Sequence, residues 1–450
     1  MEIVLPAEVK KIISVLEGAG FEAYAVGGCV RDTLLGKTPD DWDITTSAEP
    51  QTVKGLFNRT IDTGLQHGTV TVRMNGKGFE VTTYRIDGDY ADGRHPDSVT
   101  FTRSLAEDLK RRDFTINAMA YNDAKGLVDL FGGRDDLSQG IIRCVGNPSD
   151  RFGEDALRIL RAARFAARFG FEIAPDAKDA MREKAGTLTR VSAERIREEL
   201  TKLILSPHPE EVRTIYELGI TAVVLPEFDA MMETPQNTAH HCFDVGNHTV
   251  AVMQNVPAER ILRLAALFHD VGKPVCRKTD REGTDHFIGH PAVGADMTRQ
   301  IMARLKFDNA TIDDVKRLVL FHDERFPVNR RNVRRFISRL GREAFPDMVV
   351  LKRADVLGQS DYMREEKLSV IDDLEKTGKE ILAENDAVTV KDLCIGGRDL
   401  MEAGIAKGPE IGAILKELLR CVLDSPEMNA RETLLEEAKK LDAKYRAGSL

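Results

Sequence analysis

The sequence predicts an α+β protein: a small head with helices on a mixed or antiparallel sheet, followed by an all-α remainder. Three observations carry this. The apolar run Tyr24-Ala25-Val26 reads as a strand, is broken by Gly27-Gly28, and gives way to a helix over 30–35. Residues 69–74 and 79–86 alternate in strand fashion around Asn75-Gly76-Lys77-Gly78, a hairpin signal. From about Asp150 onward the apolar periodicity is helical.

Composition bounds the function. At 450 residues the chain exceeds what one core usually supports, so several domains are expected. No stretch of about twenty apolar residues is present, which argues against a membrane partner. The opening MEIVLPAEVKKI lacks a secretory signal's basic region and apolar core. The six cysteines are scattered with no CxxC pair, as in a protein with reduced thiols, and the expected location is cytoplasmic. A net charge of −9 excludes indiscriminate nucleic-acid binding, and DNA is not expected as a partner, yet a local basic surface remains possible.

Along the chain, an amphipathic helix over 7–19 precedes the glycine turn. Glycines at a strand-to-helix turn let backbone N–H groups approach an anion, and the helix N-terminus adds partial positive charge. After Pro39 comes Asp41-Trp42-Asp43-Ile44, expected as a strand on which Asp41 and Asp43 share a face. Paired carboxylates repel unless a cation sits between them, and hard oxygen donors suit Mg²⁺. Glu80, opening the return strand of the hairpin, is a candidate third acid or an exposed strand residue. A glycine- and charge-rich loop over 87–96 contains Arg94. Then Arg111-Arg112-Asp113-Phe114-Thr115-Ile116-Asn117-Ala118-Met119-Ala120 interleaves cations, an acid and an amide with apolar residues.

A helix is expected over 154–169. At about 100° per residue, Arg158, Arg161, Arg164 and Arg168 fall on about a third of its circumference. On most helices such a stripe is a solvated face; here Glu154 and Asp155 at its start make it a mixed acid–arginine face. A further helix is expected over 251–270. Histidines concentrate in this later region: His240, His241 and His248, then His269-Asp270, His286, His290 and His322. Imidazole and carboxylate together suit a divalent transition metal, or Mg²⁺ with less nitrogen.

GGCVRD, DWD, RRDFTINAMA and EDALRILRAAR together resemble the tRNA nucleotidyltransferases, in the bacterial CCA-adding and poly(A) polymerase branch of the polymerase-β superfamily. Residues 240–355 resemble an HD domain: His248, His269-Asp270 and Asp355 match its basic pattern, and His290 and His322 match the extra ligands of two-metal HD phosphohydrolases. The resemblance implies a nucleotidyltransferase head over 1–145, a helical nucleotide-selecting and RNA-binding neck over 146–230, an HD domain over 231–358 and a tRNA-binding tail over 359–450. It also implies that Asp41 and Asp43 bind two Mg²⁺ ions, with Glu80 as a third acid. Gly28, Arg31 and Arg112 would hold the triphosphate, and Asp113 and Asn117 would lie near the ribose.

Base choice then has a physical form. Cytosine and adenine both offer an amine donor beside a ring-nitrogen acceptor. Asp155 accepting and Arg158 donating, three residues apart on one helix face, would match that order, with Arg161 and Arg164 continuing to base and phosphates. Uracil and guanine present the reverse, leaving buried polar groups unpaired at about 1–3 kcal/mol each. The expected activity is addition of CCA to tRNA from CTP and ATP without a nucleic-acid template, with metal-dependent phosphohydrolase activity in the HD domain. Alternatives are a poly(A) polymerase, an enzyme adding only CC or only A, or an HD phosphohydrolase with an RNA-binding head.

Overall fold

A computed structural model describes residues 3–88, 99–405 and 408–446. The chain divides into two compact units, Met1–Asp229 and Ala230–Leu450.

In the first unit, α1 (Ala7–Gly18) buries Val9, Ile12, Ile13 and Leu16, the i, i+3, i+4, i+7 stripe of an amphipathic helix. Next come β1 (Ala23–Val26), α2 (Gly28–Leu34), β2 (Ile44–Thr46), α3 (Pro50–Leu56), β3 (Thr60–Gly64), β4 (Thr69–Met74) and β5 (Lys77–Thr83). With β8 (Met119–Asn122) and β9 (Gly126–Asp129) the strands form one seven-stranded sheet, in the order β3-β4-β5-β2-β1-β8-β9. It is mixed: β2 and β5 run parallel, while the other neighbouring pairs are antiparallel. Asn75 and Gly76, at φ 50 and 81, make the two-residue turn between β4 and β5. Both left-handed positions are what a type I′ turn demands.

The strand expected over 79–86 is two. Beyond β5, Tyr84 is fully buried, and β6 (Arg85–Asp87) leaves the sheet to pair with β7 (Val99–Phe101). Most of the loop expected over 87–96, Arg94 included, lies outside the described residues. The acid pair also differs from expectation: β2 begins at Ile44, so Asp41 and Asp43 precede the strand. Only the Asp43 carbonyl joins the ladder, accepting the Val26 N–H at 3.0 Å.

After β7 come α4 (Leu105–Lys110), α5 (Gly133–Gln139), the short β10 (Ile141–Ile142), α6 (Pro148–Glu154) and α7 (Leu157–Phe169). The single helix expected over 154–169 is therefore broken. Asp155 is extended, at φ −138 and ψ 104, and its Oδ1 accepts the Leu157 N–H at 3.0 Å. A short acidic side chain can hydrogen-bond nearby backbone in place of the helical ladder, and here it does. The unit continues through β11 (Glu172–Ile173), α8 (Pro175–Lys184) and α9 (Ala193–Ile204), which packs on α7. Short helices α10 (Val212–Glu217), α11 (Thr221–Val224) and α12 (Pro226–Met232) follow.

Beyond these, the chain is almost entirely helical. One helix expected over 251–270 is two, α13 (Val245–Asn255) and α14 (Arg260–Phe268). Pro257 lies between them; it lacks an N–H and disfavours helical backbone in the residue before it. Next are α15 (Lys273–Cys276), α16 (His290–Arg304), α17 (Asn309–Phe321), α18 (Arg330–Leu340), α19 (Phe345–Leu357) and α20 (Arg364–Ala383). The last are α21 (Gly397–Glu402), α22 (Pro409–Asp424) and α23 (Arg431–Arg446). α13 packs on α14 and α19, and α17 packs on α14 and α16. Among the described residues, no helix is long and apolar enough to cross a membrane.

One close approach in the head supports the Arg111–Asn117 segment from below. A Cβ on Gly133 would lie 2.2 Å from the Thr115 carbonyl oxygen. Gly133→Ala is therefore expected to cost about 1–3 kcal/mol in denaturant unfolding, as overpacked sites do.

Candidate functional site

The glycine turn, the acids and the arginine segment meet on the head sheet. Gly27 has φ 78, and a Cβ there would lie 2.9 Å from Arg112 Nη1, so glycine is required by conformation and by space. Ile44 pairs in parallel with Val81, which makes Asp43 and Glu80 neighbours by register. The Asp43 carboxyl is raised above its ordinary range by the surrounding protein, then by the Glu80 charge, with Asp41 adding and Arg112 opposing. Crowded oxygen donors with a net negative field fit a hard divalent cation. Buried Asp108 on α4 ties the elements together. Its Oδ1 accepts Arg111 Nη2 at 2.8 Å, and its Oδ2 accepts Thr45 Oγ1 at 3.0 Å and lies 3.6 Å from Arg112 Nη2. Among the described residues, Arg112 Nε is buried without a hydrogen-bond partner.

Beside this lies a cleft of about 280 Å³ lined by Arg111, Arg112, Asp113, Asp155, Leu157, Arg158, Arg161 and Arg195. Asp155 and Arg158 are thus brought together, although not on one helix as expected. Arg195 on α9 donates to Asp155 Oδ2 at 2.8 Å. Arg158 donates to Glu154 Oε2 at 2.5 Å and to the Arg151 and Arg111 carbonyls at 3.1 and 3.2 Å. Arg161 pairs with Asp113 Oδ2 at 2.5 Å. Asp113 Oδ1 accepts the Phe114 N–H at 2.8 Å and Asn117 Nδ2 at 3.0 Å. Burial alone would raise Asp113; Arg161 and Asn117 win and hold it well below the usual carboxylate range.

Two arginines differ from expectation. Arg164 does not line the cleft: it is buried, donates to Glu199 Oε2 at 2.5 Å and stacks 3.9 Å from the Phe165 ring centroid. Arg31 is also buried. It donates to Asp32 Oδ1 at 2.8 Å, bonds Asn117 Oδ1, and lies 4.9 Å from the Phe169 ring centroid. Neither guanidinium is open to solvent as a phosphate-binding stripe would be.

The second constellation converges closely. His248 comes from α13, His269 and Asp270 from the end of α14, His290 from the start of α16, His322 from the end of α17, and Asp355 from α19. Asp270 is the centre. Its Oδ2 lies 3.1 Å from His269 Nε2 and 3.5 Å from His248 Nε2, while its Oδ1 lies 3.4 and 3.5 Å from His290 and His322 Nε2. Asp355 Oδ1 is 3.0 Å from His248 Nε2. Each histidine Nδ1 faces a backbone carbonyl: His248 to Gly358 at 3.1 Å, His269 to Ala266 and His290 to Phe287 at 2.8 Å, His322 to Val319 at 2.7 Å. A carbonyl only accepts, so Nδ1 carries a proton and Nε2 is the ring nitrogen turned inward, the one whose lone pair a metal ion would take. Burial would raise Asp270, but His269 and Lys273 hold it well below the carboxylate range. Donor identity, tautomer and charge all fit one or two divalent ions.

The cluster opens into a cleft of about 450 Å³ whose lining includes His240, His241 and His286; His286 is already paired with Asp280 at 2.8 Å. Sequence reading missed Lys273, whose Nζ lies 2.7 Å from Asp270 Oδ2; its i, i+3 spacing was the available signal. It also missed Asp108, Arg195 and Glu199. Of these, only Asp108 had a local signal, one helical turn before Arg111.

The described fold agrees with what is known of other chains. Three family models match: the Poly A polymerase head domain over 23–143, the probable RNA and SrmB-binding site of polymerase A over 170–232, and the HD domain over 238–359. The CCA-adding enzyme of Levilactobacillus brevis is 35% identical over 429 residues, covering 95% of this chain and 96% of that protein. That of Limosilactobacillus fermentum is 35% identical, covering 97% and 98%. That of Lactiplantibacillus plantarum is 53% identical over 208 residues, a match spanning 46% of this chain and 51% of the relative. The Bacillus stearothermophilus CCA-adding enzyme, solved in complex with CTP, superposes with a TM-score of 0.74 at 30% identity, over 99% of this chain and 100% of that one.

The Asp113–Arg161 pair sets a pH dependence. A folded-state carboxyl held below its unfolded value contributes stability above about pH 4, and that stability is lost as pH falls further. Chemical denaturation from pH 6 to pH 2 should show unfolding free energy falling below about pH 4, with a shallower fall in Asp113→Asn.

Proposed function

The chain belongs to the family of CCA-adding enzymes, and from that membership we propose that it completes tRNA 3′ ends with C, C and A, taking CTP and ATP and using no nucleic-acid template. The observation that carries this reading is the cleft in which Asp155 and Arg158 stand beside Arg111, Arg112 and Asp113. An acceptor and a donor side by side suit the amine and ring nitrogen of cytosine and adenine. Arg195 fixes the Asp155 carboxylate and Glu154 fixes the Arg158 guanidinium, so the pair is preorganised.

Asp41 and Asp43, with Glu80 adjacent, would hold Mg²⁺, which supplies activation of the 3′-hydroxyl and neutralisation of pyrophosphate charge. In the transfer the RNA 3′-oxygen bonds to the α-phosphorus and the bond to pyrophosphate breaks. Arg112 Nε is a ready donor for a triphosphate oxygen, and the Gly27-Gly28 turn keeps side-chain bulk away. Arg31 acts at one remove, holding Asn117 and through it Asp113 near the ribose. The helical neck and the tail are proposed as the tRNA-holding parts, and the HD cluster as a separate phosphohydrolase. There His248, His269, Asp270, His290, His322 and Asp355 would hold a divalent transition metal or Mg²⁺, and Lys273 would hold the Asp270 carboxylate ionised.

Offering tRNAs that end before, within and after CCA, with each nucleotide separately, should give stepwise C, C, A addition that then stops. Long A tails, or addition of only C or only A, would replace this reading with one of its relatives. Asp41→Ala should abolish addition, and Asp155→Asn should narrow the preference for CTP over UTP by about tenfold or more. His269→Ala should remove bound metal and any phosphoester hydrolysis while leaving tRNA extension intact; unchanged metal content and hydrolysis would sink the HD assignment.

A further inference from the structure

The metal cluster opens on two spaces. Besides the polar cleft, a neighbouring pocket of about 270 Å³ shares with it His322, Asp323, Arg325, Asp355, Gln359 and Lys367. The rest of its lining adds Glu324 and Lys352 on the polar side and an apolar wall of Phe326, Val328, Val356, Val370, Ile371 and Leu374. The wall is fixed in place. Phe326 packs against Phe336 with tilted rings whose centroids are 5.0 Å apart, and Ile371 and Leu374 on α20 are buried. Lys352 Nζ donates to the His322 and Glu324 carbonyls at 2.6 and 2.9 Å, pinning the segment that carries Arg325 and Phe326. Lys367 Nζ donates to Gln359 Oε1 at 2.8 Å, and Gln359 Nε2 donates to Asp355 Oδ1 at 3.0 Å, so the cation is wired to a candidate metal ligand.

A bare phosphate would use only the polar side. A concave apolar wall beside a charged cluster is the ordinary form of a site for a ligand with one ionic and one flat apolar end. Resting on the reading of the cluster as a phosphohydrolase, we propose that this pocket is its leaving-group compartment, holding the aromatic part of an organic phosphomonoester. The phosphate then lies towards Lys367, Arg325 and the histidines. In the hydrolysis a water oxygen bonds to phosphorus, the P–O bond to the organic group breaks, and a proton from that water ends on the departing alcohol oxygen.

Calorimetry on the metal-loaded full chain with two non-hydrolysable probes, benzylphosphonate and methylphosphonate, tests this. Benzylphosphonate should bind about tenfold or more tightly, the gain of burying one ring. Val370→Asn, a neutral change at a rim position 52% exposed, should erase that advantage while leaving methylphosphonate affinity unchanged. Equal affinity for the two probes in the parent chain, or equal loss for both in Val370→Asn, would overturn the compartment alone. If the chain binds metal but neither probe, the phosphohydrolase reading falls and the compartment falls with it.

Discussion

Arginines in the first unit are held by acids, most of them from other elements, and the shape of the cleft proposed for the nucleotide depends on that pairing. Arg161 is held by Asp113, Arg164 by Glu199, Arg111 by Asp108, while Arg195 in turn holds Asp155. A half-buried guanidinium without a partner would repel its neighbours and swing towards water, and five arginines line one cleft. Pairing removes both outcomes. It would also let the proposed surface recognise a base by hydrogen bonds, since the recognising groups could not adapt to the wrong one without breaking an existing ion pair. Selection by geometry requires a template that does not move.

The second unit meets a different electrostatic demand. Four imidazoles and two carboxylates share one small volume, and only a neutral tautomer with inward lone pairs makes that tolerable around a cation. Helix ends supply the means. The last carbonyls of a helix lack intrahelical donors, and those of Ala266 and Val319, near the ends of α14 and α17, take the Nδ1 protons of His269 and His322. The satisfaction of the backbone and the orientation of the ligands are thus one event.

Much of this was legible in the sequence where chemistry and local spacing coincide. The glycine turn, the Asn75-Gly76 hairpin, the acid pair and the histidine series all announce themselves within a few residues. The failures share a cause. The 154–169 helix breaks because the Asp155 side chain bonds the Leu157 N–H, a choice helical periodicity does not encode. Arg164 belongs to the same stripe as Arg158 and Arg161, yet Glu199, thirty-five positions later, takes it out of the cleft. Arg31 sits in the right motif, but Asn117 and the Phe165 and Phe169 rings enclose it. A stripe shows which residues share a face; only the fold shows what that face meets.

The two sites also differ in donor chemistry in a way that keeps them separate. The head offers carboxylate oxygens near solvent, suited to a hard ion that exchanges with each incoming triphosphate. The HD cluster offers buried imidazole nitrogen, suited to an ion that stays. A chain that must bind and release a nucleotide three times per tRNA needs its transferring metal loosely held, arriving with the substrate. The hydrolysis proposed for the HD cluster would use water as its second substrate and have no such need. Each donor set would therefore suit the exchange its own proposed reaction demands, and neither could replace the other by a change of substrate alone.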